Sequence, residues 1–156
     1  MKIKYLTLFI FLFFGLNGFA QKFYLGDKLC PNAKEYKLLG ISSQTKVATY
    51  KYLGIITDKF FYNRKVGEII IGVKNNTIVT TIYNLIPEPN DVGVPRTMLD
   101  LIESNLPFPL TYKDGIYGVS IDNTNITVSR TKNALTFHKD RIMFFTSVRN
   151  SLLKEL

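Results

Sequence analysis

Val66-Gly-Glu-Ile-Ile-Ile-Gly-Val73, then Lys74-Asn75-Asn76, then Thr77-Ile-Val-Thr-Thr-Ile-Tyr-Asn-Leu85 is the stretch that decides the fold. Two runs rich in β-branched residues flank a pair of asparagines, and that pattern reads as a β-hairpin. Asparagine suits the turn because it tolerates the left-handed backbone that tight turns require. Gly67 and Gly72 interrupt the first run, where they mark bulges or a close approach of another chain segment. Ile69-Ile70-Ile71 shows no alternation, so this strand is expected to be covered on both faces.

The β character extends outward in both directions. Upstream, Val47–Ile56 is rich in β-formers, and Lys59–Tyr62 is a short aromatic stretch. Residues 31–40 begin with Pro and end with Gly, which suits a short helix; a strand through Tyr36–Ile41 fits as well. Downstream, three prolines in Ile86–Pro95 require a loop. Thr97 then stands as a helix cap with Asp100 three residues on. Met98, Leu101, Ile102 and Leu106 follow at helical spacing, and Pro107 and Pro109 end the segment. Leu110–Lys113, Ile116–Ile121 and Ile126–Thr131 read as strands, with a turn at Asp122–Asn125. Leu135–His138 and Ile142–Thr146 suggest a further hairpin around Lys139-Asp140. Val148, Leu152, Leu153 and Leu156 share one side of a short terminal helix that Ser147 could cap. Thr49-Tyr50-Lys51 recurs as Thr111-Tyr112-Lys113 without a fixed period, which reads as chance rather than a repeat.

The expected class is α+β: an antiparallel sheet of about six to eight strands, a central helix over about 97–106 and a short C-terminal helix. Residues 21–156 suffice for one domain with its own core.

The chain opens differently. Lys2 and Lys4 precede an uncharged apolar run, Tyr5–Leu16, which Asn17 and Gly18 interrupt before Gly18-Phe19-Ala20. A charged start, a short apolar centre and small residues before a cut make a secretory signal. The run is too short to span a bilayer, which takes about 20 apolar residues. Cleavage is expected between Ala20 and Gln21. The Phe-rich run ending in Ala-Gln resembles bacterial export signals. The one cysteine, Cys30, lies too far downstream for a lipid anchor and has no internal partner for a disulfide. The expected product is soluble and periplasmic or extracellular, with no membrane span.

Charge is unevenly placed. Residues 21–74 carry ten basic residues against four acidic, and residues 75–156 carry eight of each. Such a bias attracts anions. In an exported protein these are envelope components or another exported protein rather than nucleic acid. Tyr50, Lys51, Tyr52, Lys59, Phe60, Phe61, Tyr62, Arg64 and Lys65 combine that charge with aromatics, so they form the candidate binding set.

Catalytic and metal signatures are weak. Ser-x-x-Lys occurs three times (Ser43, Ser129, Ser151), without the companion motifs that give it meaning. His138 is the single histidine, so zinc lacks its usual ligands. Asp122–Asn125 lacks the rest of a calcium loop. No catalytic residue, cofactor or metal is assigned. The expected function is a non-catalytic binding or interaction module. Alternatives are an inhibitor or immunity-type protein, a carboxylate-dependent hydrolase of envelope glycans, and an assembly subunit that joins through a sheet edge.

Overall fold

A computed structural model describes residues 23–56, 59–131 and 140–153. The expected signal peptide, the strand Leu135–His138 and Leu156 lie outside the described residues. Among the described residues nine strands make one antiparallel sheet: β1 (Tyr36–Ile41), β2 (Ala48–Tyr52), β3 (Phe60–Phe61), β4 (Arg64–Lys74), β5 (Thr77–Ile86), β6 (Thr111–Lys113), β7 (Ile116–Ile121), β8 (Thr124–Thr131) and β9 (Arg141–Val148). Their spatial order is β1-β2-β4-β5-β9-β8-β7-β6, with β3 paired to the start of β4. Two meanders therefore meet at the central β5–β9 pair.

The α+β expectation is corrected to a mainly-β fold. Among the described residues strands hold 50% and helices 8%, and one helix has seven or more residues. That helix, α1, spans Arg96–Glu103. The terminal helix, α2, is a single turn at Asn150–Leu153. Val148, expected on its face, belongs instead to β9, because pairing with Thr124 extends that strand.

Turn chemistry sets the hairpins. Asn75 and Asn76 both adopt positive φ, 48° and 57°, and join Lys74 directly to its partner Thr77. Two successive positive φ values match the right-handed twist of the flanking strands. Asp114-Gly115 and Tyr62-Asn63 repeat the device between β6 and β7 and between β3 and β4. Register shifts fall between Val66 and Glu68 and between Gly72 and Val73, beside both marked glycines. A Cβ on Gly72 would lie 2.9 Å from Val47, so that glycine serves close approach. Residues 31–40 resolve to strand β1 after a turn in which the Asn32 side chain accepts the Lys34 and Glu35 amides.

The crossover from β5 to β6 carries α1 and covers one face of the sheet. Met98, Leu99 and Ile102 are buried in the same cluster as Val128 and Ile142. Leu99, not Leu101, lies inward; Leu101 is exposed. The helix begins at Arg96 after Pro95, with no side-chain cap, so Thr97 does not have the expected role. Phe23, Leu25 and Phe61 close the same face elsewhere, with Phe61 stacked on Tyr83 at 4.5 Å. Thr49–Lys51 sits inside the sheet while Thr111–Lys113 forms its short edge, so the recurring tripeptide has no structural equivalence.

Candidate functional site

Strand alternation divides the sheet into a covered and an open face. Register fixes the members of each. Ile69, Tyr83, Phe144 and Val128 lie opposite one another on the covered face. Ile70, Ile82, Phe145 and Thr127 form the neighbouring row on the other face. Ile69 is fully buried, whereas Ile70, Ile82, Met143 and Phe145 are only half-buried. The Ile69-Ile70-Ile71 run is thus covered on one face, contrary to the expectation of two, because α1 and the N-terminal segment both pack on the same side.

The open face is basic. Among the described strand residues it carries Lys37, Lys51, Lys65, Lys113 and Arg141 against one carboxylate, Glu68. Glu68 is the hub of a polar cluster. Lys51 Nζ lies 2.7 Å from Glu68 Oε1, Asn84 Nδ2 donates to Oε2 at 2.7 Å, and Arg141 Nη1 stands 3.5 Å from Oε2. Burial, the largest influence, pushes the Glu68 carboxyl up. The Lys51 and Asn84 hydrogen bonds and the Lys51 and Arg141 charges together outweigh it and hold it below its ordinary value. Such a carboxylate stays ionised, the opposite of what a general acid requires. The cluster can therefore bind charge and donate hydrogen bonds. Asn84 Oδ1 accepts no hydrogen bond from a described residue.

The nine residues expected to form one binding set divide between the two faces. Lys51, Phe60 and Lys65 lie on the open face, with Phe60 directly opposite Lys65 and exposed Lys59 beside them. Tyr50, Tyr52, Phe61 and Arg64 lie on the covered face by the same register. Tyr52 and Phe61 are core residues, and Tyr50 and Tyr62 pack against the core. Burial pushes the Tyr62 phenol up to about 12. Arg64 is buried, pairs with Asp91 and holds the proline-rich loop, so it is not available to a partner.

Sequence reading missed Arg141, Met143, Phe145, Ile82, Asn84 and Lys113. A signal existed in Arg141, a basic residue heading a β-forming run, but Ile142-Met143-Phe144-Phe145 does not alternate and leaves the outward side unmarked. The charge balance of residues 75–156 concealed it. Five of their eight carboxylates are engaged by arginines: Asp91 and Glu88 on Arg64, Asp140 on Arg130, Asp100 and Glu103 on Arg96.

Among the described residues no three of His, Cys, Asp or Glu gather as a metal site, and no helix is long and apolar enough to cross a membrane. Cys30 is exposed. His138 lies outside the described residues. The chain matches no protein-family model, no curated protein sequence and no solved structure.

Proposed function

We propose that this chain is an exported, non-catalytic binding module whose open sheet face receives a polyanionic partner. One observation carries the reading: the face left uncovered by α1 holds five basic residues against one acidic, around half-buried Ile70, Ile82, Met143 and Phe145. A contiguous half-exposed apolar centre with a charged border is the composition of an interaction surface. Export rests on residues 1–20 and is checked by N-terminal mass analysis, which should find the secreted chain starting at Gln21.

Location, rather than net charge, is what the binding test must isolate. Lys65→Glu with Lys113→Glu changes the open face. Lys34→Glu with Lys46→Glu makes the same change in net charge at exposed loop positions. The first pair should lower retention on an immobilised sulfated polysaccharide several-fold more than the second, and added salt should weaken retention of the unmodified protein. Equal losses from the two pairs would remove the case for this face.

A second reading, assembly through the sheet edge, has one observation behind it. Strand β1 exposes Leu38, Leu39 and Ile41 beside a backbone side that no described strand pairs with. Sedimentation at rising concentration tests it: a monomer throughout excludes a self-paired edge.

A further inference from the structure

Large apolar side chains gather at the end of the sheet where β4 begins. Phe60, Lys65 and Ile86 are direct cross-strand partners in one row on the open face. Phe60 is 60% exposed and Ile86 46%. The loop that precedes β3 and the loop that follows β5 leave from the same end. They add Ile55 at 83% exposure and Val92 at 93%.

The second of these loops is held firmly. Arg64 grips the Asp91 carboxylate, which also accepts the Glu88 amide at 2.8 Å. Arg130 donates to the Asp91 and Gly93 carbonyls. Val92 therefore stands in solvent on a fixed backbone, flanked by residues whose polar groups are already engaged. Little ordering entropy remains to be lost when it enters an apolar medium.

We propose that the anionic partner is a phospholipid bilayer surface and that this end of the sheet enters it. The order of groups along the molecule is the argument. Phe60 and Ile86 stand at the end, where the loops carrying Ile55 and Val92 leave the sheet; Lys59, Lys65 and Arg141 stand at the same level, with Glu88 paired to Arg64; Lys51 lies farther along the open face. A bilayer offers the same sequence in reverse, with the acyl boundary inside and anionic headgroups outside. The apolar residues come from three separate segments and protrude individually, which suits a fluid medium. A second copy is a poor occupant, because stacking two such ends sets Lys59 and Lys65 against their own images.

This inference rests on the open-face reading, and the experiment separates the two. The chain contains no tryptophan, so Phe60→Trp installs a single reporter at an exposed position. The chain from Gln21 contains every described element and is the form to use. On vesicles of phosphatidylglycerol and phosphatidylcholine in equal parts, Phe60→Trp emission should shift to shorter wavelength. On phosphatidylcholine alone it should not. Leu38→Trp, on the far edge strand, should not shift on either. Phe60→Ser and Lys65→Glu should each weaken partitioning to the anionic vesicles by roughly tenfold, with circular dichroism melts confirming that both variants fold. No shift at Phe60→Trp, with salt-sensitive retention on the polysaccharide intact, overturns the bilayer and leaves the open face to a soluble polyanion or an acidic protein. Loss of both overturns both readings. An equal shift at Leu38→Trp overturns the proposed end-on insertion.

Discussion

Arg64 holds Asp91 with two sides of its guanidinium: Nε donates to Oδ2 at 3.1 Å and Nη2 to Oδ1 at 3.0 Å. Both side chains are about nine-tenths buried. The contact fastens the proline-rich loop to the first residue of β4, and the loop in turn feeds α1 onto the covered face. Removing Arg64 strands the buried Asp91 carboxylate, and removing Asp91 leaves the buried Arg64 only the exposed Glu88 at 3.4 Å. Arg64→Leu and Asp91→Leu should each cost about 3–5 kcal/mol in urea denaturation. The double variant should cost clearly less than the sum of the two, since neither charge is then left alone. Additive losses would show that the pair does not act as a unit.

Helix α1 supplies a test of facing. Leu99 is 2% exposed and Leu101 is 37% exposed. Leu99→Ala should cost roughly 2–5 kcal/mol as a core truncation. Leu101→Ala should stay within about 0.5 kcal/mol, as should Thr97→Ala, because Thr97 is exposed and makes no cap bond. A larger loss at Leu101 than at Leu99 would mean the helix is rotated from the orientation described.

Acid stability should depend on Glu68. Its folded pKa is lowered from the ordinary 4.5 against the opposing effect of burial. A lowered folded pKa means that the carboxylate stabilises the fold fully above its unfolded value and that this contribution is lost as pH falls through the folded one. Denaturation midpoints of the unmodified protein and Glu68→Gln should therefore differ most near neutrality and converge below pH 4.5. A constant gap across that window would assign the effect to lost hydrogen bonds and not to charge.

At the alkaline end, two phenols take over. Burial pushes both Tyr62 and Tyr83 from 10.0 up to about 12. The Tyr83 hydroxyl also accepts the Phe23 amide at 3.2 Å, which acts in the other direction. A raised folded pKa gives stability that is complete below the unfolded value and is lost as pH rises through the folded one. Stability should therefore fall as pH climbs from 10.0 toward about 12, and Tyr62→Phe should make that fall shallower. Absorbance titration should show late phenol ionisation, reduced by one group in the variant. Complete ionisation in a single step near 10.0, with the fold intact, would contradict both assignments.

Much of the fold was legible residue by residue. Asn75-Asn76 announced its turn because consecutive positive φ values are a local preference of asparagine. Asp114-Gly115 carried an equally strong hairpin signal. Gly67 and Gly72 marked register shifts, and the prolines of Ile86–Pro95 marked a loop. Helical spacing around Met98 and Ile102 was equally plain, but it allowed either Leu99 or Leu101 to complete the buried arc. The choice fell to the sheet beneath.

The sequence by itself determined where most strands and turns lie, because turn chemistry and side-chain period act within a few residues. It also determined the basic bias, since charge is a matter of composition. Only the tertiary structure decided which strands are neighbours. Pairing β5 with β9 sets Ile82 opposite Phe145 and Asn84 opposite Met143, joining positions far apart in the chain. That pairing, with α1 on one side only, made one face core and left the other open. It separated Phe60 from Phe61 and Lys65 from Arg64, neighbours in sequence that end on opposite faces. The physical reason is the two-residue period of a strand: adjacent side chains always diverge, and which of them meets solvent depends on what the rest of the chain brings to each side.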